Sequence, residues 1–328
     1  GASYGDGTWH DAASSRVAAP GARDETHPMM IRVLTWNLFH GRDGHPAARA
    51  TWRSTLCRRP VEGGDHLHVN RRLVEQMADV IARRAPDVAA LQEVPAAAVC
   101  ELAARTGMAA AWVTTGPLAG PGAARDRWAA ANPDLWRTHE GNANVVLVGP
   151  RLQVVRNSLR RVRLNPAGTM LRLAVRGHVP PGQAAAWVGE QRALVALRIA
   201  AGDGREFAVG CLHLHNSHVA DVQLAEALAA DRAMTALAGA DAALLAGDVN
   251  VHPGHVALAA LSRAGWQDAG PDRGIDRVLH RGLEPMDAPR ALADRERTVL
   301  TPHRGRWWPV LLSDHAPVEA CYRLPGGR

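Results

Sequence analysis

Two hydrophobic periods alternate along the chain. Ile31 to Asn37 (IRVLTWN) is a short run rich in β-branched and aromatic side chains, which predicts a buried strand. Leu73, Val74, Met77, Val80 and Ile81 recur at helical spacing, so an amphipathic helix is predicted over 68–84. Ala85-Pro86-Asp87 stops it, because a proline steers the residue before it out of the α region. Val88 to Leu91 is the next strand, with Gln92-Glu93 at its exit. Strands are predicted at 144–148, 152–156, 170–175 and 192–199, and from Phe207 to Leu212. Val219 to Leu237 reads as a helix, Ala243 to Ala246 as a strand and 254–264 as a helix, with late strands at Ile275–Leu279 and Pro317–Tyr322. The stretches 42–70 and 112–140, dense in Arg, Gly, Pro and Trp, predict long surface segments.

Six apolar runs stop at polar residues. In order these are Thr35-Trp36-Asn37, Leu91-Gln92-Glu93, Cys211-Leu212-His213, Gly247-Asp248-Val249-Asn250, Ile275-Asp276-Arg277-Val278-Leu279 and Ser313-Asp314-His315. Active sites of layered α/β folds gather at strand ends. Singly, each ending has a bland reading: Asn37 as a turn cap, Glu93 as a solvated carboxylate, Asp248-Val249-Asn250 as part of a turn. Folding needs alone do not require six.

The ordered set resembles the endonuclease/exonuclease/phosphatase superfamily, the deoxyribonuclease I-like hydrolases, across about 31–322. The resemblance implies a four-layer α/β sandwich: two mixed, mainly antiparallel β-sheets face to face, with helices outside. It also implies hydrolysis of phosphate esters by in-line attack of water, with Mg2+ or Mn2+ as cofactor. Asn37 and Glu93 match the family's metal ligands, and Asp314 the carboxylate near the metal. Such hard oxygen donors suit those ions. Asp248 matches the water-orienting carboxylate, with Asn250 fixing geometry beside it. His315 matches a general base or phosphate contact, and Asp276 the carboxylate that orients it. His213 matches a second histidine that steadies the pentavalent state or serves the leaving group. Asn216, Arg192 and Asn144 are the softer matches, as substrate contacts, and Asn142 lies in the same segment as Asn144.

Other readings remain open at this stage. Asp276-Arg277-Val278-Leu279 is similar to the D-R-[VI]-L of inositol 5-phosphatases, which would make the substrate an inositol phosphate or lipid headgroup monoester. Ile275 and Leu245 stand where those enzymes carry aromatic residues. His213-Leu214-His215-Asn216-Ser217-His218 approaches the H-x-H-x-D-H of zinc hydrolases, with Ser217 in place of the Asp. A non-catalytic binding module is the third alternative, although every key position keeps a chemically competent residue.

Composition changes the picture only a little. The 328 residues, 47% hydrophobic, suit one large catalytic domain at 29–328 after a polar, small-residue-rich segment at 1–28. The net charge of +6 is carried entirely by arginine, there being no lysine. Coding bias is the first explanation; compatibility with a phosphate-ester partner, nucleic acid included, is the second. No apolar run approaches the roughly 20 residues of a membrane-spanning helix, and 1–28 lacks a signal-peptide pattern. These features favour a cytoplasmic monomer and leave secretion open. Cys57, Cys100, Cys211 and Cys321 are scattered; buried thiols are expected, with a Cys211–Cys321 pair as the alternative.

Overall fold

The structure is a computed structural model that describes residues 29–44, 59–69, 71–115, 142–189, 191–239, 241–268, 270 and 274–325. Expectations for 1–28, for 45–58 with Cys57, and for 116–140 fall outside the described residues.

Two seven-stranded sheets face each other. The first contains β1 (Met30–Asn37), β4 (Val88–Pro95), β5 (Ala109–Thr114), β6 (Asn142–Val148), β14 (Glu284–Pro285), β15 (Arg290–Ala291) and β18 (Val318–Arg323). Its order is β14-β18-β1-β4-β6-β5, with β15 also on β18. The second contains β7 (Gln153–Val154), β8 (Arg160–Arg163), β9 (Ala193–Ala200), β10 (Glu206–His213), β11 (Ala242–Asp248), β12 (Gln267–Asp268) and β13 (Asp276–Arg281). Its order is β12-β13-β11-β10-β9-β7, with β8 also on β9. Most pairs are antiparallel, but β1 runs parallel to β4 and β10 parallel to β11. Each parallel pair therefore delivers two strand ends to the same edge of the sandwich.

The alternation within strands explains the layers. Ile31 and Val33 of β1 pack with Val195, Leu197, Phe207 and Val209 of the opposite sheet in the central core. Leu34 and Trp36, pointing the other way, pack under α1 (Val74–Arg84) and α2 (Val99–Thr106). Leu194, Ala196 and Leu245 pack under α5 (Ala220–Ala238) and α6 (Val256–Arg263). Full burial of each such aliphatic side chain stabilises by roughly 1.5–3 kcal/mol. The result is the expected four-layer sandwich.

One strand expectation is overturned. Residues 170–175 belong to a helix, α3 (Ala167–Val175), which pairs with α4 (Pro181–Gly189). The run TMLRLAV fits both periods. The helix prevails because it turns Met170, Leu173 and Ala174 onto Val179, Ala184 and Val222 and leaves Leu171 and Val175 exposed. The helix predicted from 68 begins at Val74, and the surface segment 42–70 contains a small hairpin, β2 (Val61–Gly63) with β3 (His66–His68). A second hairpin, β16 (Thr298–His303) with β17 (Arg306–Leu311), went unforeseen; its inner face adds Val299, Trp308 and Val310 to the core under α1. Cys100, Cys211 and Cys321 are free, so no Cys211–Cys321 bond forms.

Candidate active site

Register brings the strand ends together. Asn37 sits opposite Gln92, so Asn37 and Glu93 leave adjacent strands side by side. In the second sheet His213 sits opposite Asp248, and Asp248 opposite Asp276. The two groups meet across the sandwich: Asn37 Nδ2 donates to Glu93 Oε1 at 3.3 Å and to Asp248 Oδ2 at 3.1 Å. His213 Nε2 lies 3.5 Å from Asp248 Oδ2 and 4.0 Å from Glu93 Oε1. His315 Nδ1 is 2.8 Å from Asp276 Oδ2, while its Nε2 lies 3.8 Å from Asp248 Oδ2 and 3.9 Å from Asp314 Oδ1. Asp248 Oδ1 accepts the backbone N–H of Asn250 at 3.0 Å.

The backbone is strained where these groups meet. Of eight non-glycine residues with positive φ among the described residues, five lie here: Phe39, His40, Glu93, Asn250 and Ser313. Each such conformation costs on the order of 1–3 kcal/mol, and such outliers cluster at functional sites.

The electrostatics separate the groups. Burial and the charge of Asp276 push the Asp248 carboxyl up to about 7, against the pull of His315 and Asn37. Burial opposes the His315 imidazolium, but Asp276 on Nδ1, with Asp248 and Asp314, outweighs it and pushes His315 up to about 10. Burial and neighbouring Arg192 hold His213 well below the ordinary histidine range. Burial would raise Glu93, yet His40 and His213 beside it hold it well below the ordinary carboxylate range. Burial and the charge of Glu93 raise Asp314.

No family model matches the sequence, and no curated protein does. Solved structures match it along most of its length. An endonuclease/exonuclease/phosphatase family protein from Bacteroides thetaiotaomicron is 14% identical, with a TM-score of 0.60 over 92% of this chain and 100% of that one. The chain has the endonuclease/exonuclease/phosphatase fold. A mannosyl-6-phosphatase of the same bacterium is also 14% identical (TM-score 0.57, 88% of this chain and 98% of that one). The human Nocturnin catalytic domain with bound sulfate is 13% identical (TM-score 0.58, 90% and 95%).

Within this fold the softer candidates divide. Arg192 is near enough to act on His213. Asn144 is wholly buried, and its Nδ2 donates to the Ala193 carbonyl at 2.7 Å, tying the two sheets together. Asn216 is exposed on the loop after β10. The three histidines of the zinc reading do not converge: His215 is buried against Glu226, and His218 is exposed. Among the described residues the one group of three acidic or histidine ligand atoms within 4.8 Å of one another is Asp248, Asp276 and His315.

Several groups that hold the site had no role assigned from the sequence. Gln92 Nε2 donates to Thr35 Oγ1, the Ala90 carbonyl and Cys211 Sγ, so the Gln of Gln92-Glu93 joins the sheets. Ser313 Oγ donates to the Asn37 carbonyl at 2.6 Å and accepts the His315 N–H at 3.1 Å. Buried Arg297 donates to the carbonyls of Leu312, Ser313 and His315. His40 Nε2 lies 3.0 Å from Glu93 Oε2, and its Nδ1 is 2.9 Å from Asn142 Oδ1. Asp43, held by His68 at 2.7 Å, bridges to Leu312 and Ser313.

Gly44 then passes so close that an added Cβ would stand 1.9 Å from the Asp314 nitrogen. Gly44→Ala is therefore expected to displace the Asp314–His315 loop and lower the melting temperature, whereas Gly182→Ala, with nothing within 4 Å, leaves it unchanged. Equal melting curves would refute the close approach.

Proposed function

We propose that the chain is a divalent-metal-dependent phosphoesterase, formed by one catalytic domain at 29–328, that attacks phosphate esters with water. Phosphodiesters, nucleic acid among them, are the favoured substrates. One observation carries the reading. Asp276, His315, Asp248, Asn37, Glu93 and His213 form one chain of contacts of 4.0 Å or less at the sandwich edge. The similar solved structures include a phosphatase and a domain holding sulfate, a phosphate-like anion.

The residues divide the work. Asp248 is the group suited to take a proton from water, since burial poises its carboxyl near neutrality. His315, kept as imidazolium by Asp276, suits a phosphoryl oxygen or a departing alkoxide. Neutral His213, beside Asp248 and Glu93, can donate a hydrogen bond to the same phosphoryl group. Asn250 keeps Asp248 aimed through its backbone N–H and anchors its own amide on the Leu214 carbonyl at 2.9 Å. No Ser or Cys stands in this group to form a covalent intermediate.

The donor set fits a hard cation. Glu93 and Asp314 repel one another, and Glu93, held as a carboxylate by His40 and His213, supplies hard anionic oxygens beside Asp314. Both would hold the ion. Asn37 fits less directly: its Oδ1 accepts the Phe39 N–H at 3.0 Å and its Nδ2 faces the carboxylates, so it organises the acids. When bound, Mg2+ or Mn2+ would supply Lewis acidity at the phosphoryl or leaving oxygen.

Glu93→Gln is expected to raise the Mg2+ concentration for half-maximal rate at least tenfold, having removed one of two formal charges at the ion. An unchanged Mg2+ titration would rule out Glu93 as ligand. The reading as a whole is tested with plasmid DNA, abasic-site duplex, RNA, inositol phosphates, sphingomyelin and a chromogenic diester. Each is assayed with Mg2+, Mn2+, Zn2+ or EDTA. Turnover that requires Mg2+ or Mn2+ supports it, and turnover with zinc alone overturns it.

A further inference from the structure

Away from the site, four arginines face one groove. It runs between α3 and α5, is floored by β8, and holds about 640 Å3. Arg163 comes from β8, Arg172 from α3, Arg176 from the cap just after α3, and Arg232 from α5. Ala225 and Ala229 keep the α5 wall low. Among the described residues no Asp or Glu lines the groove. The acids of α5 are engaged elsewhere: Asp221 with His178, Glu226 with His215, and Asp231 with the Trp266 indole at 2.9 Å. Arg163 donates to the Val188 carbonyl and Arg172 to the Thr169 hydroxyl, neutral partners that leave the charge uncompensated. Four like charges held together without a counter-charge favour an anionic ligand of several charges.

The β8–β9 ladder connects the groove to the strand that begins beside Arg192. Arg163 sits opposite Ala193 in the β8–β9 ladder, and Leu164 N donates to the Arg192 carbonyl at 2.7 Å. Arg192 in turn acts on His213. The basic track thus begins one strand from Arg192 and descends along α5. From Ala225 to Ala233 that is about 12 Å at 1.5 Å per residue. The apolar floor of Val162, Leu173 and Leu228 suits sugars or bases between the charges.

We infer that this groove binds the sugar-phosphate backbone of a nucleic-acid strand that reaches the site past Arg192. The choice of strand rests on the phosphodiester reading above; the anionic character of the ligand does not. A guanidinium fork matches phosphate oxygens two at a time, which suits such a backbone.

The test is fluorescence anisotropy with the full chain in EDTA, using a labelled oligothymidylate of about 20 nucleotides over a range of salt concentrations. Each lost phosphate contact on a single strand lowers the salt slope by about 0.7, so Arg172→Ala/Arg176→Ala/Arg232→Ala should lower it by about 2 and weaken binding about a hundredfold at ~0.1 M salt. Arg176→Glu alone, on an exposed position, gives the same sign should the triple variant unfold. Arg160→Ala, outside the groove, retains the wild-type slope. Unchanged affinity and slope in the groove variants, or no binding by the wild type at low salt, overturns the inference. So does polyglutamate competing as well as DNA, which would make the groove a site for an acidic protein. Because binding is read without turnover, groove-dependent binding without hydrolysis would sink the enzyme reading alone. Hydrolysis of a chromogenic diester with groove-independent binding would sink the groove alone.

Discussion

Asp248→Ala and His315→Ala are each expected to lower the hydrolytic rate by at least three orders of magnitude while the protein stays folded. Positioned proton transfer contributes about 10²–10⁴-fold, and loss of a preformed charge at the phosphoryl group adds about 10²–10³. The two side chains lie 3.8 Å apart and share Asp276 as an electrostatic neighbour. Their effects should therefore not add: the double variant should be little slower than the worse single one. Steady-state rates on the best substrate, with circular dichroism for fold, decide the point. Activity retained in both single variants would remove the assignment.

The protonation states could not be read from residue order. The sequence places a His after an Asp in Ser313-Asp314-His315 and leaves its role as base or cation undecided. Asp276, 39 residues earlier in the chain, favours the cation by contact at 2.8 Å. Asp248 is likewise pushed up to about 7 by burial and a neighbour no local pattern reveals.

What was legible follows the same division. The six strand ends were readable because buried strands are apolar runs, and a polar residue that ends one is conspicuous. The helix at 170–175 was misread as a strand because its apolar positions satisfy both periods; the docking of α4 and Val222 decides between them. The site's scaffold was largely illegible. Gln92, Ser313 and Arg297 act through backbone carbonyls and side chains far away in sequence, and residue type carries no mark of that. His40 sits three residues beyond Asn37, yet only its left-handed backbone turns it onto Glu93.

Arg297 makes the scaffold testable. Its guanidinium reaches the Leu312 and His315 carbonyls at 3.0 Å and the Ser313 carbonyl at 2.6 Å, and pairs with Asp294 at 2.7 Å. Three carbonyls of one short loop thus converge on one cation, and that loop carries Asp314 and His315. Arg297→Ala leaves these acceptors without their donor. Leaving a buried acceptor without its donor costs about 1–3 kcal/mol. A lower melting temperature is expected, with a fall in kcat exceeding any rise in KM, because His315 loses its position over Asp276 while Asp248 and His213, on the strands, keep theirs. Arg297→Lys should recover only part of this, since an ammonium lacks the planar fork that spans several acceptors. His315→Ala in the Arg297→Ala background provides the further check. If Arg297 acts through His315, its cost in kcat should largely vanish there; an undiminished cost would mean that Arg297 stabilises the fold without positioning the histidine.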